Sequence, residues 1–170
     1  GPPGTGKTHL AMALADHVSG SEQYTQLVQF HPSYGYEDFF EGYRPVTNEE
    51  GQLSYRLKDG PLRRMVNDAL TNPEYNYVLV IDEINRGNLA KVFGELYFLL
   101  EYRHRKINLQ YSEEPFELPE NLFIIGTMNT SDRSIALMDA AMRRRFAFIE
   151  LHPESEPVSR VLSKWLAANE

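Results

Sequence analysis

The chain has 170 residues, of which 42% are hydrophobic and 12% aromatic, and this suits a single domain with a buried core. The net charge of −7 argues against a dominant, sequence-independent DNA-binding surface. The absence of cysteine excludes disulfides and thiolate metal sites and is typical of a cytoplasmic protein. No apolar run reaches the about 18 residues that a membrane span needs.

The chain opens with Gly-Pro-Pro-Gly-Thr-Gly-Lys-Thr, which is the complete spacing of a phosphate-binding loop. Glycines let successive backbone N–H groups turn toward phosphate oxygens. Lys7 is suited to bridge the outer phosphates of a nucleotide, and the Thr8 hydroxyl to bind Mg²⁺. An ordinary glycine-rich turn is the alternative, but chance rarely produces the full pattern. The residues predicted to bind nucleotide are Gly1, Pro2, Pro3, Gly4, Thr5, Gly6, Lys7, Thr8 and His9.

The segments after this loop alternate between helix and strand signals. The predicted elements are a helix at residues 8–18, a strand at 27–30, a short helix and loop at 34–45, a hairpin arm at 53–57 and a helix at 61–70. The aromatic residues between 31 and 39 are interpreted as core packing, with a substrate or partner contact as the alternative.

Residues 77–81 form a continuous apolar run, which predicts a strand buried on both faces. Two carboxylates, Asp82 and Glu83, follow it at the carboxyl end, where α/β sheets bind ligands. Asp82 is predicted to hold Mg²⁺, and Glu83 to orient or deprotonate an attacking water. Capping of the next segment is the alternative. Asn85 and Arg86 follow, and they either contact a neighbouring subunit, reinforce Glu83 or have a local structural role.

A second strand with a polar end follows further along the chain. The predicted elements in between are a helix at 88–101 and a hairpin with arms at 106–111 and 115–118, and the strand itself is at 122–126. Asn129 comes after that strand, so it is expected at the same sheet edge, where its amide can bond the γ-phosphate and position water. A turn-forming asparagine is the alternative.

The last third of the chain brings charged residues and three more predicted elements. These elements are a helix at 134–144, a buried strand at 146–151 and a terminal helix at 158–168. Asp132 and Arg133 are predicted in a loop. An ion pair or a helix cap there is the purely structural interpretation. Arg143, Arg144 and Arg145 either complement a helix C-terminus or supply an arginine finger to a neighbouring subunit's nucleotide.

Short apolar strands alternating with helices predict a parallel sheet in an α/β fold. A phosphate loop connects a strand to a helix, and no strand precedes Gly1 in this sequence. We therefore expect the chain to be a fragment of a longer protein, with the first strand of the sheet missing.

The order of these motifs resembles the AAA+ module, and more narrowly its McrB-like branch, the motor subunits of modification-dependent restriction systems. The most specific element is the run Gly-Thr-Met-Asn-Thr-Ser-Asp-Arg-Ser at 126–134. Other matching segments are residues 30–45, 81–95 and 143–146. The likeness covers nearly the whole chain.

The resemblance implies a three-layer P-loop fold with strand order 5-1-4-3-2, a nucleotide-binding core at 1–151 and the start of a helical lid at 152–170. It implies hydrolysis of ATP or GTP with Mg²⁺ at the interfaces of a ring, expected to be a hexamer. It ties Asn129 and Asp132 to nucleotide binding and hydrolysis. The implied partners are further copies of the chain, a McrC-like nuclease subunit, and DNA reached through the assembly or missing domains.

Two other functions stay open on the sequence. The first is an AAA+ protein of the MoxR or dynein-related type that remodels protein complexes. The second is a nucleotide-gated scaffold that binds a nucleotide but does not hydrolyse it. The presence of Asp82, Glu83 and Asn129 argues against this function.

Overall fold

The computed structural model describes residues 1–47, 51–130, 140–152, 154 and 158–160. Its helices are α1 (Lys7–Ser19), α2 (Tyr36–Phe39), α3 (Pro61–Thr71), α4 (Leu89–Phe93), α5 (Leu96–Leu99) and α6 (Ala140–Arg143). Its strands are β1 (Thr25–Gln29), β2 (Glu41–Thr47), β3 (Leu53–Asp59), β4 (Tyr77–Asp82), β5 (Ile107–Asn108), β6 (Pro115–Phe116) and β7 (Leu122–Gly126). No helix in these ranges is both long and apolar enough to cross a membrane.

A parallel sheet of order β1-β4-β7 organises the molecule. Central strand β4 reads Val-Leu-Val-Ile at residues 78–81, and all four side chains are fully buried, as expected for a strand covered on both faces. The carboxyl ends of β4 and β7 are in register, with Ile81 beside Gly126. The order β7-β4-β1 matches the 4-3-2 part of the expected sheet, so the predicted α/β P-loop fold class is confirmed.

The two faces of β4 pack against different layers, because successive side chains of a strand point to opposite sides. Val78 and Val80 contact Ala11 and Ala15 of α1, where small side chains let the helix lie close to the sheet. On the other face, the residues of β4 with odd numbers join a larger core formed by α2 to α5 and the hairpins. Helix α1 is thereby fixed with its N-terminus at the carboxyl edge of the sheet.

Two antiparallel hairpins, β2–β3 and β5–β6, flank the larger core. They are tied together by Arg63 of α3, whose guanidinium forms ion pairs with Glu41 of β2, Asp59 of β3 and Glu114 of the loop before β6. The Glu41 side chain is fully buried and also accepts hydrogen bonds from the backbone N–H groups of Tyr111 and Ser112.

Three local predictions were wrong, and the first two concern residues 34–45 and 88–101. The stretch at 34–45, predicted as helix and loop, contains strand β2, which tolerates Pro45 because a two-stranded hairpin leaves an edge free. The predicted helix at 88–101 is two short helices, α4 and α5. It breaks at Gly94, whose φ of 50° and ψ of −129° lie outside the helical region. A Cβ at this glycine would also lie 3.1 Å from the Tyr36 ring.

The predicted strand at 146–151 is not a strand in the structure. Residues 147–150 are exposed and pair with no described strand, and a cavity separates this segment from β7. Strand β7 is itself only partly buried, with Phe123 41% exposed. Of the predicted helices at 134–144 and 158–168, residues 140–143 and a 3-10 turn at Val158–Arg160 are described, and the remainder lies mostly outside the described residues.

Candidate functional site

The phosphate loop is held in shape by its own hydrogen bonds. Gly4 and Gly6 have φ values of 76° and 73°, a left-handed conformation that glycine adopts without strain. The Thr5 hydroxyl donates to the Pro2 carbonyl at 3.0 Å, and the Lys7 ammonium donates to the same carbonyl at 2.7 Å. The lysine charge therefore lies at the loop, directly before the first turn of α1.

The two predicted magnesium ligands meet at the end of β4. The Thr8 hydroxyl donates to Asp82 Oδ1 at 2.7 Å. No cluster of three or more His, Asp or Glu side chains suited to a metal occurs in the described part of the chain. An oxygen pair of this kind nevertheless fits Mg²⁺, which is usually held by one or two protein ligands together with phosphates and water. The residues present therefore suit the ion that the sequence predicts.

Glu83 lies at the lip of the site in an unusual backbone conformation. Its φ of 53° and ψ of 45° are left-handed, which is uncommon for a residue other than glycine. Its carboxylate pairs with the half-exposed guanidinium of Arg86 at 3.4 Å. Arg86 therefore contacts Glu83 within the chain, and whether it acts on the function of Glu83 stays a prediction.

Thr127, which the sequence analysis passed over, joins the ends of β7 and β4. Its hydroxyl donates to Asp82 Oδ1 at 2.5 Å and accepts the backbone N–H of Glu83 at 3.2 Å. The side chain is buried, with 6% exposed. A signal was present, because parallel pairing of the two predicted strands puts residue 127 next to the carboxylates.

A cleft of about 300 Å³ gathers most of the predicted site. Asn129 reaches it from the segment after β7, where its carbonyl accepts a hydrogen bond from the buried Asn85 amide at 3.1 Å. The residues that line the cleft are Pro3, Gly4, Gly6, Lys7, Thr8, His9, Asp82, Glu83 and Asn129. Gly1, Pro2 and Thr5 do not line it, although the carbonyl of Pro2 orders the loop.

The arginines after α6 lie away from this cleft and differ among themselves. Arg145 is largely buried, pairs with Glu101 at 2.6 Å and lies 4.4 Å from the centre of the Tyr97 ring. Arg143 lies over the Phe148 ring at 5.6 Å, whereas Arg144 is exposed. Asp132 and Arg133 lie outside the described residues.

A larger cavity of about 420 Å³ lies between α1, β7 and residues 146–151. Its lining is mainly apolar, and it contains neither Asp82, Glu83 nor Asn129. Arg103 lines it and donates to the Leu122 carbonyl at 2.8 Å, and burial lowers the pKa of this guanidinium. By volume alone this cavity would be selected as the candidate site, but Asp82, Glu83 and Asn129 line the smaller cleft.

Comparisons with known proteins agree with the geometry of the cleft. Residues 1–146 match the family described as the AAA domain of the dynein-related subfamily. The chain is 49% identical over 162 residues to the "Type IV methyl-directed restriction enzyme EcoKMcrB subunit" of Escherichia coli K12, a match that covers 90% of this chain and 34% of that protein.

Two further similarities are more distant. The chain is 29% identical over 204 residues to the "Type II restriction enzyme BsuMI component YdiS" of Bacillus subtilis 168, covering 97% of this chain and 59% of that protein. A solved structure of a Cytophaga hutchinsonii protein aligns with a TM-score of 0.48 at 18% identity, covering 94% of this chain and 51% of that one. The chain thus spans about a third and about three fifths of the two restriction proteins.

Proposed function

The chain belongs to the dynein-related subfamily of AAA domains, and from this premise we propose that it hydrolyses a nucleoside triphosphate as one subunit of a ring-shaped motor. The observation that carries the proposal is the cleft at the carboxyl edge of the sheet. Residues of the phosphate loop line it together with Asp82, Glu83 and Asn129. This combination supplies a cation for phosphates, oxygen ligands for a metal and a base for water.

The chain's own residues divide the work of phosphoryl transfer to water. The loop N–H groups and Lys7 hold the triphosphate, while Asn129 orients the terminal phosphate and the attacking water. Glu83 accepts a proton from that water as it attacks in line. Mg²⁺ held by Thr8 and Asp82 would neutralise charge on the phosphate oxygens.

Two hydrogen-bonded or ion-paired groups have to change partners for this chemistry. Lys7 must leave the Pro2 carbonyl to reach phosphate, and Glu83 must leave Arg86 to reach water. Both present partners are weak competitors, since one is a neutral carbonyl and the other is a half-exposed guanidinium. For Lys7, the triphosphate supplies the stronger charge interaction that drives the exchange. For Glu83, the half-exposed ion pair costs little to break.

At the level of the whole protein, we propose the McrB-like subunit of a modification-dependent DNA restriction system in the cytoplasm. The names of the two restriction relatives support this reading. It includes a ring of copies, six by family resemblance, a McrC-like nuclease subunit, and DNA bound by the assembly or other domains. Asp132 would assist hydrolysis, and Arg144 or Arg145 would reach the neighbouring subunit's nucleotide. ATP and GTP are both candidate substrates.

A second candidate is a remodeller of protein complexes, which the dynein-related description of the matching family favours. It uses the same cleft and the same hydrolysis, so the two readings differ only in what the motor moves. The genes beside this one separate them, because a nuclease subunit encoded next to it supports restriction.

The test is phosphate release by the full-length protein, with and without its neighbouring nuclease subunit, in GTP and in ATP. Glu83→Gln should lower the turnover number by about 10²- to 10⁴-fold while nucleotide affinity is kept, because a general base contributes about that factor. The matched control is Glu120→Gln, a change of the same kind at a side chain that is 84% exposed. Wild-type turnover in the Glu83 variant would remove the proposed base, and absence of hydrolysis in the wild type would leave the scaffold reading.

A further inference from the structure

We propose that Thr127 is a positioning residue that fixes both carboxylates of the cleft, Asp82 for the metal and Glu83 for water. This inference rests on the proposed function. It assigns a role to a residue that had none in the sequence motifs or in the proposed hydrolysis mechanism. It starts from the fact that every polar group of Thr127 is committed to the end of β4. The hydroxyl binds Asp82 and the N–H of Glu83, while the backbone N–H donates to the Ile81 carbonyl and the carbonyl accepts from the Ile84 N–H, both at 2.9 Å.

The first consequence concerns the orientation of Asp82. Its Oδ1 atom accepts two hydrogen bonds, one from Thr8 and one from Thr127. Among the described residues, no hydrogen bond or ion pair engages Oδ2. Two donors on one oxygen fix the rotation of the carboxylate and leave the other oxygen open toward the cleft. Groups that orient a metal ligand in this way tune the affinity of the site for its metal.

The second consequence concerns Glu83, whose left-handed backbone is intrinsically unfavourable. Thr127 binds the peptide N–H groups on both sides of the Glu83 α-carbon, through its hydroxyl and its carbonyl. These two bonds hold the strained turn, and the turn decides where the glutamate side chain leaves the backbone. Backbone strain of this kind persists only where the surroundings impose it.

The methyl and hydroxyl groups of Thr127 can be separated experimentally. Thr127→Val keeps the shape of the buried side chain and removes both hydroxyl bonds, whereas Thr127→Ser keeps the hydroxyl and removes the methyl group. If Thr127 only fills space, valine is the milder change. If its hydroxyl positions the two carboxylates, serine is the milder change.

The experiment measures nucleotide affinity with and without Mg²⁺, and turnover, in the full-length protein. In Thr127→Val, the strengthening of nucleotide binding by Mg²⁺ and the turnover number should each fall by about 10- to 100-fold, with metal-free affinity unchanged. Thr127→Ser should keep both within about 3-fold of wild type. The ratio of nucleotide affinities with and without Mg²⁺ is calculated for the folded fraction of each sample. Thr127→Ala serves as the second variant if Thr127→Val unfolds at the assay temperature.

The outcomes separate this inference from the proposed function. A wild type that binds nucleotide without hydrolysing it ends the proposed function, whereas the metal dependence of binding still tests Thr127. An active wild type, with a valine variant equal to it in turnover and in metal dependence, overturns the inference alone. A serine variant as damaged as the valine variant also overturns it, since the methyl group would then be the part that matters.

Discussion

Two regions of the molecule are rich in carboxylates and treat them differently. The first is the cleft, and the second is the hairpin cluster, which comprises α2, α3, the hairpins β2–β3 and β5–β6, and Glu95 between α4 and α5. In the hairpin cluster, Glu41 pairs with the Arg63 guanidinium, Glu95 accepts the Tyr36 hydroxyl at 2.7 Å, and Glu37 accepts the Tyr111 hydroxyl at 2.7 Å. Among the described residues, the groups that donate to Asp82 in the cleft are neutral hydroxyls, and the group that pairs with Glu83 is a half-exposed arginine.

The difference shows which acids serve structure and which are available to a ligand. Glu41, a buried acid whose charge is matched by Arg63, holds segments together and has nothing to gain from an external cation. Hydroxyl groups engage the other two acids of the cluster: the hydrogen bond from Tyr111 lowers the pKa of Glu37, while burial and the bond to Glu95 raise the pKa of Tyr36. Asp82 lines an open cleft and forms no ion pair with a described residue, so it can still accept a metal ion.

The largest expected effect extends this comparison to arginines. Arg145 is matched inside the chain by Glu101 and Tyr97, whereas Arg144 is exposed and no described residue pairs with it. Arg144→Ala should therefore lower the turnover of the assembled protein by about 10³- to 10⁵-fold, as for an arginine finger, with its melting temperature unchanged. Phosphate release and calorimetry on the same samples measure both quantities.

The matched variant is Arg145→Ala, which should cost about 1–2 kcal/mol of unfolding free energy through the lost ion pair and ring contact. If Arg145→Ala abolished turnover at wild-type stability while Arg144→Ala turned over normally, the arginine finger would be Arg145. The distinction between charges matched inside the chain and charges available to a ligand would then not hold for arginines.

The next effect is on stability and concerns Glu41. Glu41→Ala should lower the free energy of unfolding by about 3–5 kcal/mol, because it leaves the largely buried Arg63 with less compensating charge and frees two backbone N–H groups. Urea unfolding followed by circular dichroism measures it. Glu117→Ala, which breaks an exposed pair with Lys106, should cost about 0–1 kcal/mol. Equal costs for the two variants would contradict the assignment of Glu41 to structure.

The smallest effect is a pH dependence at Glu37. The Tyr111 hydroxyl lowers the pKa of Glu37 in the folded state, so this bond stabilises the protein above the unfolded pKa and its contribution is lost as pH falls through the folded value. Since Glu37 is exposed, Tyr111→Phe should cost only about 0.5 kcal/mol at neutral pH. Thermal melts of both proteins should converge in acid, and a difference that grew as pH fell would reverse the sign.

Sequence alone predicted the parts of the fold that depend on local patterns. The phosphate loop, α1 and β4 each carry a signal within their own residues, and parallel strands necessarily deliver their polar ends to one edge. This is why Lys7, Thr8, Asp82 and Asn129 could be grouped before their positions were known. Their roles in hydrolysis stay predictions.

The misses came from properties that depend on neighbours in space. The apolar run at 146–151 has strand propensity, but a strand forms only where another strand accepts its hydrogen bonds. Helical periodicity across Gly94 was genuine, yet it could not reveal that the Tyr36 ring packs against the turn there. No role was predicted for Thr127, because the importance of its hydroxyl depends on the carboxylate that lies beside it in the folded chain.

The position of Arg63 has an evolutionary consequence. The Arg63 guanidinium forms ion pairs with carboxylates from three separate segments, β2, β3 and the loop before β6. A charge swap with any single partner would leave the other two facing a like charge, so no pair of substitutions restores the arrangement. Mutational drift at this corner is therefore restricted even though it is remote from the chemistry, and homologues that lose the arginine should lose all three acids with it.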